Sequence, residues 1–518
     1  MNRPEVETSY GRLRGARTGG ASVFRGVPYG SGTEREGRWM PPQPPLPWAG
    51  VRDASVFGPV APQIDIRENA GPLIGKWLDL LYPGYGNPIE ARPMDEACLV
   101  LNIWTPDVDS SKRPVMVWLH GGGFQSGASS ETAFHAEGLS SRQDVVVVSV
   151  NHRLGILGYL GIDSPGFENA GIAGMLDIVQ ALQWVRDNIA SFGGDPRNVT
   201  LFGQSGGGAK VSTLMAMPKA AGLFHKAIIQ SGPGLRVVDA EAGHRLARQV
   251  LAAFGLSSKQ AHRLREVPAE ELTAYGSTLA RPGGRFGSRR GAALRVAPVI
   301  TEPDLPVHPF DPAPAPTSAG IPLLIGTTAD EAMSFRLGDP SFTTELSLAQ
   351  AQESLSDIFG GEAHKIVDAY AGSYPRMPPY RLQARILTDN SMRLQSLHLA
   401  ERHRLEGNPV YLYRFVYETP ALGGILGSCH SLELPFVFGT VDRVPLSGGQ
   451  PERFEVSRKM GSAWATFARS GVPAIPGAGP WPTFEVASRP AMEIGTDCGV
   501  VANSDAALLS LLESLEEG

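Results

Sequence analysis

Cysteine is scarce, with only Cys98, Cys429 and Cys498 in 518 residues. An odd, widely separated set without the paired spacing of a zinc site or redox dithiol excludes a disulfide framework, so free thiols and no metal are expected. Long hydrophobic runs are missing as well: no segment approaches about 18 uninterrupted apolar residues, and the N-terminal MNRPEVETSYGRLRGARTGG lacks the apolar core of a secretory signal. No membrane association and a cytoplasmic location are therefore expected. Nor does charge of one sign dominate. Lys and Arg number 46 against 52 Asp and Glu, a formal charge of -6, which gives no reason to expect a nucleic-acid partner. One small basic cluster, Arg285, Arg289 and Arg290, sits in a Gly-rich stretch and reads as a solvated loop.

What the chain does have is apolar residues (42%) in short β-branched runs bounded by turn signals, at 114–119, 145–150, 199–202, 227–229, 323–325 and 410–415. Such runs read as buried strands of a large, mostly parallel sheet. Between them lie helical patterns. The stretch 175–192 places Leu176, Val179, Leu182 or Trp184, Val185 and Ile189 near one face before Gly193-Gly194-Asp195-Pro196 stops it. Alternating strand and helix predicts an α/β fold with helices on both faces and functional loops at the carboxyl ends of the strands. Glycine (61) and proline (43) concentrate at 31–50, 304–319 and 471–482, none of which reads as a long linker. Length alone suggests about three domains of ordinary size, but residues 1–518 are read as one catalytic domain with long loop insertions, with room for catalytic and regulatory-like subregions.

The strongest local pattern is Gly203-Gln204-Ser205-Gly206-Gly207, after the run 199–202 and before the helix-compatible stretch 209–217. That context suits a nucleophile elbow, in which a strained serine at the apex of a strand-to-helix turn exposes its hydroxyl. A serine hydroxyl is a weak nucleophile at neutral pH. It needs a base oriented by an acid, and donors for the oxyanion that develops. His120-Gly121-Gly122-Gly123-Phe124 follows a strand, and its glycines are able to turn backbone N–H groups toward one point. For the acid, the residues alone leave both Asp330 and Glu331 open. None of this requires a cofactor.

Further short motifs run the length of the chain: Phe24-Arg25-Gly26-Val27-Pro28-Tyr29, Phe57-Gly58-Pro59, Cys98-Leu99-Val100-Leu101-Asn102-Ile103-Trp104, Asn151-His152-Arg153-Leu154-Gly155, Gln230-Ser231-Gly232 and Trp481-Pro482. With them the chain resembles the type-B carboxylesterases, the α/β-hydrolase family of bacterial para-nitrobenzyl esterases, animal carboxylesterases and cholinesterases. The resemblance implies a serine ester hydrolase with Ser205 as nucleophile, Glu331 as acid and His430, in Gly427-Ser428-Cys429-His430, as base. The order serine, acid, histidine is that of α/β-hydrolases. It further implies oxyanion donors on the backbone of Gly122, Gly123 and Gly206, and a Ser231 that supports the triad by hydrogen bonding.

Several positions depart from the family pattern. Gln204 stands where glutamate usually precedes the nucleophile, removing a negative charge near the imidazolium, and Ala97 replaces the usual aspartate before Cys98. Ala292 and Leu294 align where cholinesterases carry aromatics that narrow the acyl pocket, and Ser334 where they carry a cation-contacting aromatic. Phe124 and Phe335 complete the expected pocket, and Trp77 lies only in the general region of the cation-binding tryptophan. The expected substrates are uncharged aryl or alkyl esters of moderate size, reacting with water, and not choline esters. Carbamate or aryl-amide hydrolysis by the same residues is the alternative, and a non-catalytic binding module is the reading from another class. A monomer or weak homo-oligomer is expected.

Overall fold

The computed structural model describes residues 3–65, 71–84, 93–279 and 296–515. In chain order its strands are β1 (Glu5–Thr8), β2 (Gly11–Arg14), β3 (Ala16–Thr18), β4 (Ala21–Pro28), β5 (Val51–Asp53), β6 (Val100–Thr105) and β7 (Arg113–Leu119). There follow β8 (Val146–Val150), β9 (Gly194–Gln204), β10 (Lys226–Gln230), β11 (Leu323–Thr328), β12 (Val410–Phe415), β13 (Ala491–Ile494) and β14 (Cys498–Val501). Eleven of them form one sheet in the order β14-β13-β12-β11-β10-β9-β7-β8-β6-β4-β3, and β1, β2 and β5 form a small second sheet.

From β8 through β7, β9, β10, β11 and β12 to β13 every pairing is parallel. The margins, β3-β4-β6 against β8 on one side and β14 on the other, are antiparallel. The expected mostly parallel α/β-hydrolase sheet is thus a parallel centre with antiparallel borders. All six anticipated strands are present. The central ones are legible because they are covered on both faces: Val146–Val150 is buried at every position, as are Leu323–Thr328 and Val410–Phe415. The marginal strands are shorter or broken. The β4 ladder slips between Phe24 and Val27, and β13 alternates buried with half-buried residues.

The predicted helix appears as Ala173–Asn188 followed by a 3₁₀ turn, Ile189–Phe192, which ends at Gly193 in the left-handed region (φ 80°). Behind the sheet, Trp118 packs on Phe202 and Phe438 with ring centroids 4.9 and 5.0 Å apart. Several of the family-like motifs turn out to hold loops in place. The Asn102 amide donates to Ser129 Oγ (2.9 Å) and Ser149 Oγ (3.1 Å) and accepts from Gly26 N (3.0 Å). Among the described residues no helix is long and apolar enough to cross a membrane.

One buried ion pair joins the loop after β8 to the helix Ala173–Asn188. Arg153 Nη2 and Nε donate to the two Asp177 oxygens at 2.6 and 2.8 Å, and Arg153 N donates to Oδ2 at 3.0 Å. Both side chains are buried. Removing one partner leaves the other charge without compensation, so Asp177→Ala is expected to lower unfolding free energy by roughly 3–5 kcal/mol. Denaturant melts of the two proteins test this, and a loss below about 1 kcal/mol contradicts it.

Candidate active site

Because β7, β9, β10 and β11 run parallel, their carboxyl ends deliver loops to one edge of the sheet. Ser205 follows β9 directly and occupies the first turn position before the helix Gly206–Met215, with φ 56° and ψ −123°. For a residue with a Cβ that is a strained backbone, held here by the surrounding contacts. Ser205 N donates to Gln230 O of β10 at 2.8 Å. A Cβ on Gly207 would stand 2.0 Å from Leu119 O, and one on Gly206 would stand 2.1 Å from Gly123 O. Only glycine permits this approach, which brings the N-terminus of the helix onto the loop that follows β7. In that loop Gly122 and Gly123 have φ of 85° and 66°.

Glu331 and His430 arrive from the loops after β11 and β12. His430 Nδ1 donates to Glu331 Oε2 at 2.6 Å, and Thr328 N donates to Oε1 at 2.7 Å, so both carboxylate oxygens are bonded. Both side chains are buried. Of the two acids that the residues left open, Asp330 is engaged away from the imidazole. Its oxygens accept from Arg381 Nη2 and Arg385 Nη2, each at 2.9 Å, and from Ser428 N at 3.0 Å. Arg381 and Arg385 stand one turn apart on the helix Pro379–Thr388. Asp330 N in turn donates to Ser428 O at 2.8 Å, and Asp330 bridges Cys429. Asp330 therefore stitches the acid loop to the histidine loop, and Glu331 faces the imidazole.

The profile of the carboxylesterase family matches residues 2–507. The chain belongs to the carboxylesterase family. It is 34% identical over 508 residues to phenmedipham hydrolase of Pseudarthrobacter oxydans, covering 97% of each chain. With para-nitrobenzyl esterase of Bacillus subtilis it shares 34% over 493 residues, 94% of each. A crystallised carboxylesterase of Geobacillus stearothermophilus superposes with a TM-score of 0.81 at 34% identity, over 98% of this chain and 99% of that one. This carboxylesterase is a carboxylic-ester hydrolase by that membership.

Around His430 two points of the geometry bear on the expected roles. The Ser205 hydroxyl makes no hydrogen bond to the imidazole in this conformation; the Gln204 amide nitrogen lies 3.1 Å from Nε2 and 3.4 Å from Nδ1. Near-equal distances put the amide beside the ring and not in line with the Nε2 lone pair. Hydrogen bonds of this kind in unliganded sites often close only with substrate bound. The second point concerns Ser231. It is buried with φ 50°, its N–H is committed to Gly326 O at 2.8 Å, and its hydroxyl has no partner among the described residues.

Of the expected pocket residues, Phe335 is 38% exposed with its ring 5.0 Å from that of His430, and Phe124 packs edge-on against Tyr159 at 5.1 Å. Ser334 is buried and donates back to Glu331 O at 3.2 Å, and Trp77 is buried. Ala292 and Leu294 lie outside the described residues, as does the Arg285, Arg289 and Arg290 cluster. Sequence reasoning passed over Glu433, three residues beyond His430. Burial, and next the negative charge of Glu331, push its carboxyl up to about 8. Gln230 Nε2 donates to it at 3.2 Å, and Trp464 Nε1 donates to Gln230 Oε1 at 3.0 Å.

Two outcomes follow from this arrangement. Gln204→Glu places a carboxylate where the amide now meets the imidazole and stabilises its cation, so the acid limb of the kcat/KM profile is expected to move to higher pH. A superimposable profile refutes it. Burial alone would raise the Asp330 carboxyl, but Arg385 and Arg381 outweigh it and hold it below the usual range. Its stabilising contribution is thus complete above the ordinary carboxylate range and lost as pH falls through its lower folded value. Asp330→Asn is expected to flatten the acid-side loss of stability below the ordinary carboxylate range; equal slopes for both proteins would exclude that.

Proposed function

We propose that this chain is a serine esterase in which Ser205 attacks, His430 moves the proton and Glu331 orients His430. The observation that carries the reading is the 2.6 Å bond from His430 Nδ1 to Glu331, set beside a serine held on a strained turn. With Nδ1–H committed to Glu331, Nε2 is free of hydrogen and takes the Ser205 proton as Oγ adds to the ester carbonyl. The negative charge forming on the carbonyl oxygen is met by the N–H groups of Gly122, Gly123 and Gly206, whose loops touch through Gly206 and Gly123. His430 then protonates the departing alcohol, leaving Ser205 acylated. Water, deprotonated by the same imidazole, releases the acid and restores the serine.

Asp330 paired with two arginines, and Glu433 bonded to Gln230 with its carboxyl pushed up by burial, support Glu331 as the carboxylate that stabilises the imidazolium. The half-exposed Phe335 ring beside the imidazole supports uncharged aryl or alkyl esters of moderate size as substrates. The burial of Trp77 supports excluding choline esters, since its ring offers no open face to a cation. Three unpaired cysteines support a reducing, cytoplasmic setting.

Steady-state kinetics on a nitrophenyl ester test the roles. Ser205→Ala and His430→Ala are expected to lower kcat by about 10⁵–10⁶-fold and Glu331→Gln by about 10⁴-fold. A Ser205→Ala enzyme within tenfold of wild type rules the reading out. The matched anilide and carbamate are the comparison arms: turnover of either above that of the ester would replace the ester reading with amide or carbamate hydrolysis.

A further inference from the structure

Lys210 lies on the helix that follows Ser205 and is fully buried, yet the mechanism above does not use it. Its ammonium donates to His120 O at 3.0 Å and stands 5.6 Å from the Phe124 ring centroid. Among the described residues no carboxylate pairs with it. The charged and titratable groups around it are the imidazoles of His120 and His152, stacked on each other at 5.0 Å. Burial first, and then the Lys210 charge, drives both rings toward the neutral form. Burial also pulls the ammonium itself down to about 7. An apolar side chain of similar length would fill the same space without the cost of desolvating an amine.

What Lys210 touches is the first residue of the glycine loop, and the next two carbonyls of that loop are tied as well. His120 Nδ1 donates to Gly121 O at 2.9 Å, and Ser126 N donates to Gly122 O at 3.1 Å. The peptide units of these two carbonyls carry the N–H groups of Gly122 and Gly123. Three consecutive carbonyls are thus held from behind: by Lys210, by the His120 ring and by Ser126. Glycines with positive φ have no side chains to fix them, so the direction of their N–H groups depends on such ties. We propose that Lys210 is a positioning residue that fixes the Gly121-Gly122-Gly123 loop in its oxyanion-binding geometry by clamping the His120 carbonyl. The proposal rests on the reading of Gly122 and Gly123 as oxyanion donors.

The test compares Lys210→Met and Lys210→Gln with wild type in kcat, KM and affinity for an aryl trifluoromethyl ketone. Addition of Ser205 Oγ to the ketone carbonyl passes the serine proton to His430 and leaves an alkoxide in the same position as the reaction's oxyanion. A misaimed donor loop weakens binding of that alkoxide and of the transition state, not of the ground-state ester. Lys210→Met is expected to lose about 10–100-fold in kcat and a matching factor in ketone affinity, with KM within about twofold. Lys210→Gln, which keeps an N–H for the carbonyl, is expected to lose less, and it reads the same split if the methionine variant does not fold. In either folded variant, unchanged kcat and ketone affinity, or a KM that moves as far as kcat, overturns the proposal. A wild type that neither hydrolyses the ester nor binds the ketone removes the oxyanion reading itself; a fully active, ketone-sensitive wild type with indifferent Lys210 variants removes only the role of Lys210.

Discussion

Backbone presses on backbone at the end of β9. Gly206 lies against Gly123, and Gly207 against Leu119 O, at separations where no Cβ fits. That contact sets the strained Ser205 at the head of its helix against the glycine loop across from it, with β10 running beside it through the bond from Ser205 N to Gln230 O. A parallel sheet alone brings loops to one edge. The close approach brings them within reach of one another.

Electrostatics then concentrate on a single carboxylate. Three carboxyl side chains and one amide crowd this edge, and each is handled differently. Asp330 is paired with Arg381 and Arg385, burial pushes the Glu433 carboxyl up, position 204 carries an amide, and Glu331 is the carboxylate that bonds the imidazole. Like charges this close in a low-dielectric interior would oppose one another and blur which group orients His430. Pairing one carboxyl, burying another and placing an amide at position 204 leaves a defined direction for the proton on Nδ1.

The centre of the sheet was legible in the sequence because strands buried on both faces read as unbroken β-branched runs, as in Val146–Val150. The strand-to-helix turn at Ser205 was legible from its glycine frame, and the meeting of Glu331 with His430 was anticipated only through resemblance, since an Asp-Glu pair and one histidine among 11 carry no such frame. What stayed hidden depends on distant contacts. No local pattern reveals that Asp330 meets a helix some fifty residues on, that burial pushes the Glu433 carboxyl up, or that Lys210 points at a loop ninety residues earlier. Nor does sequence announce that Ser231 takes a positive φ and that its buried hydroxyl has no partner among the described residues.

All of these arrangements serve one claim, that the strained serine is a nucleophile activated by His430. Covalent labelling reads it directly. Wild-type protein treated with a fluorophosphonate and mapped by peptide mass spectrometry is expected to carry one phosphonyl group, on Ser205, with labelling lost in Ser205→Ala and slowed in His430→Ala. Folded wild type that remains unlabelled, or that carries the adduct at another residue, would contradict the account.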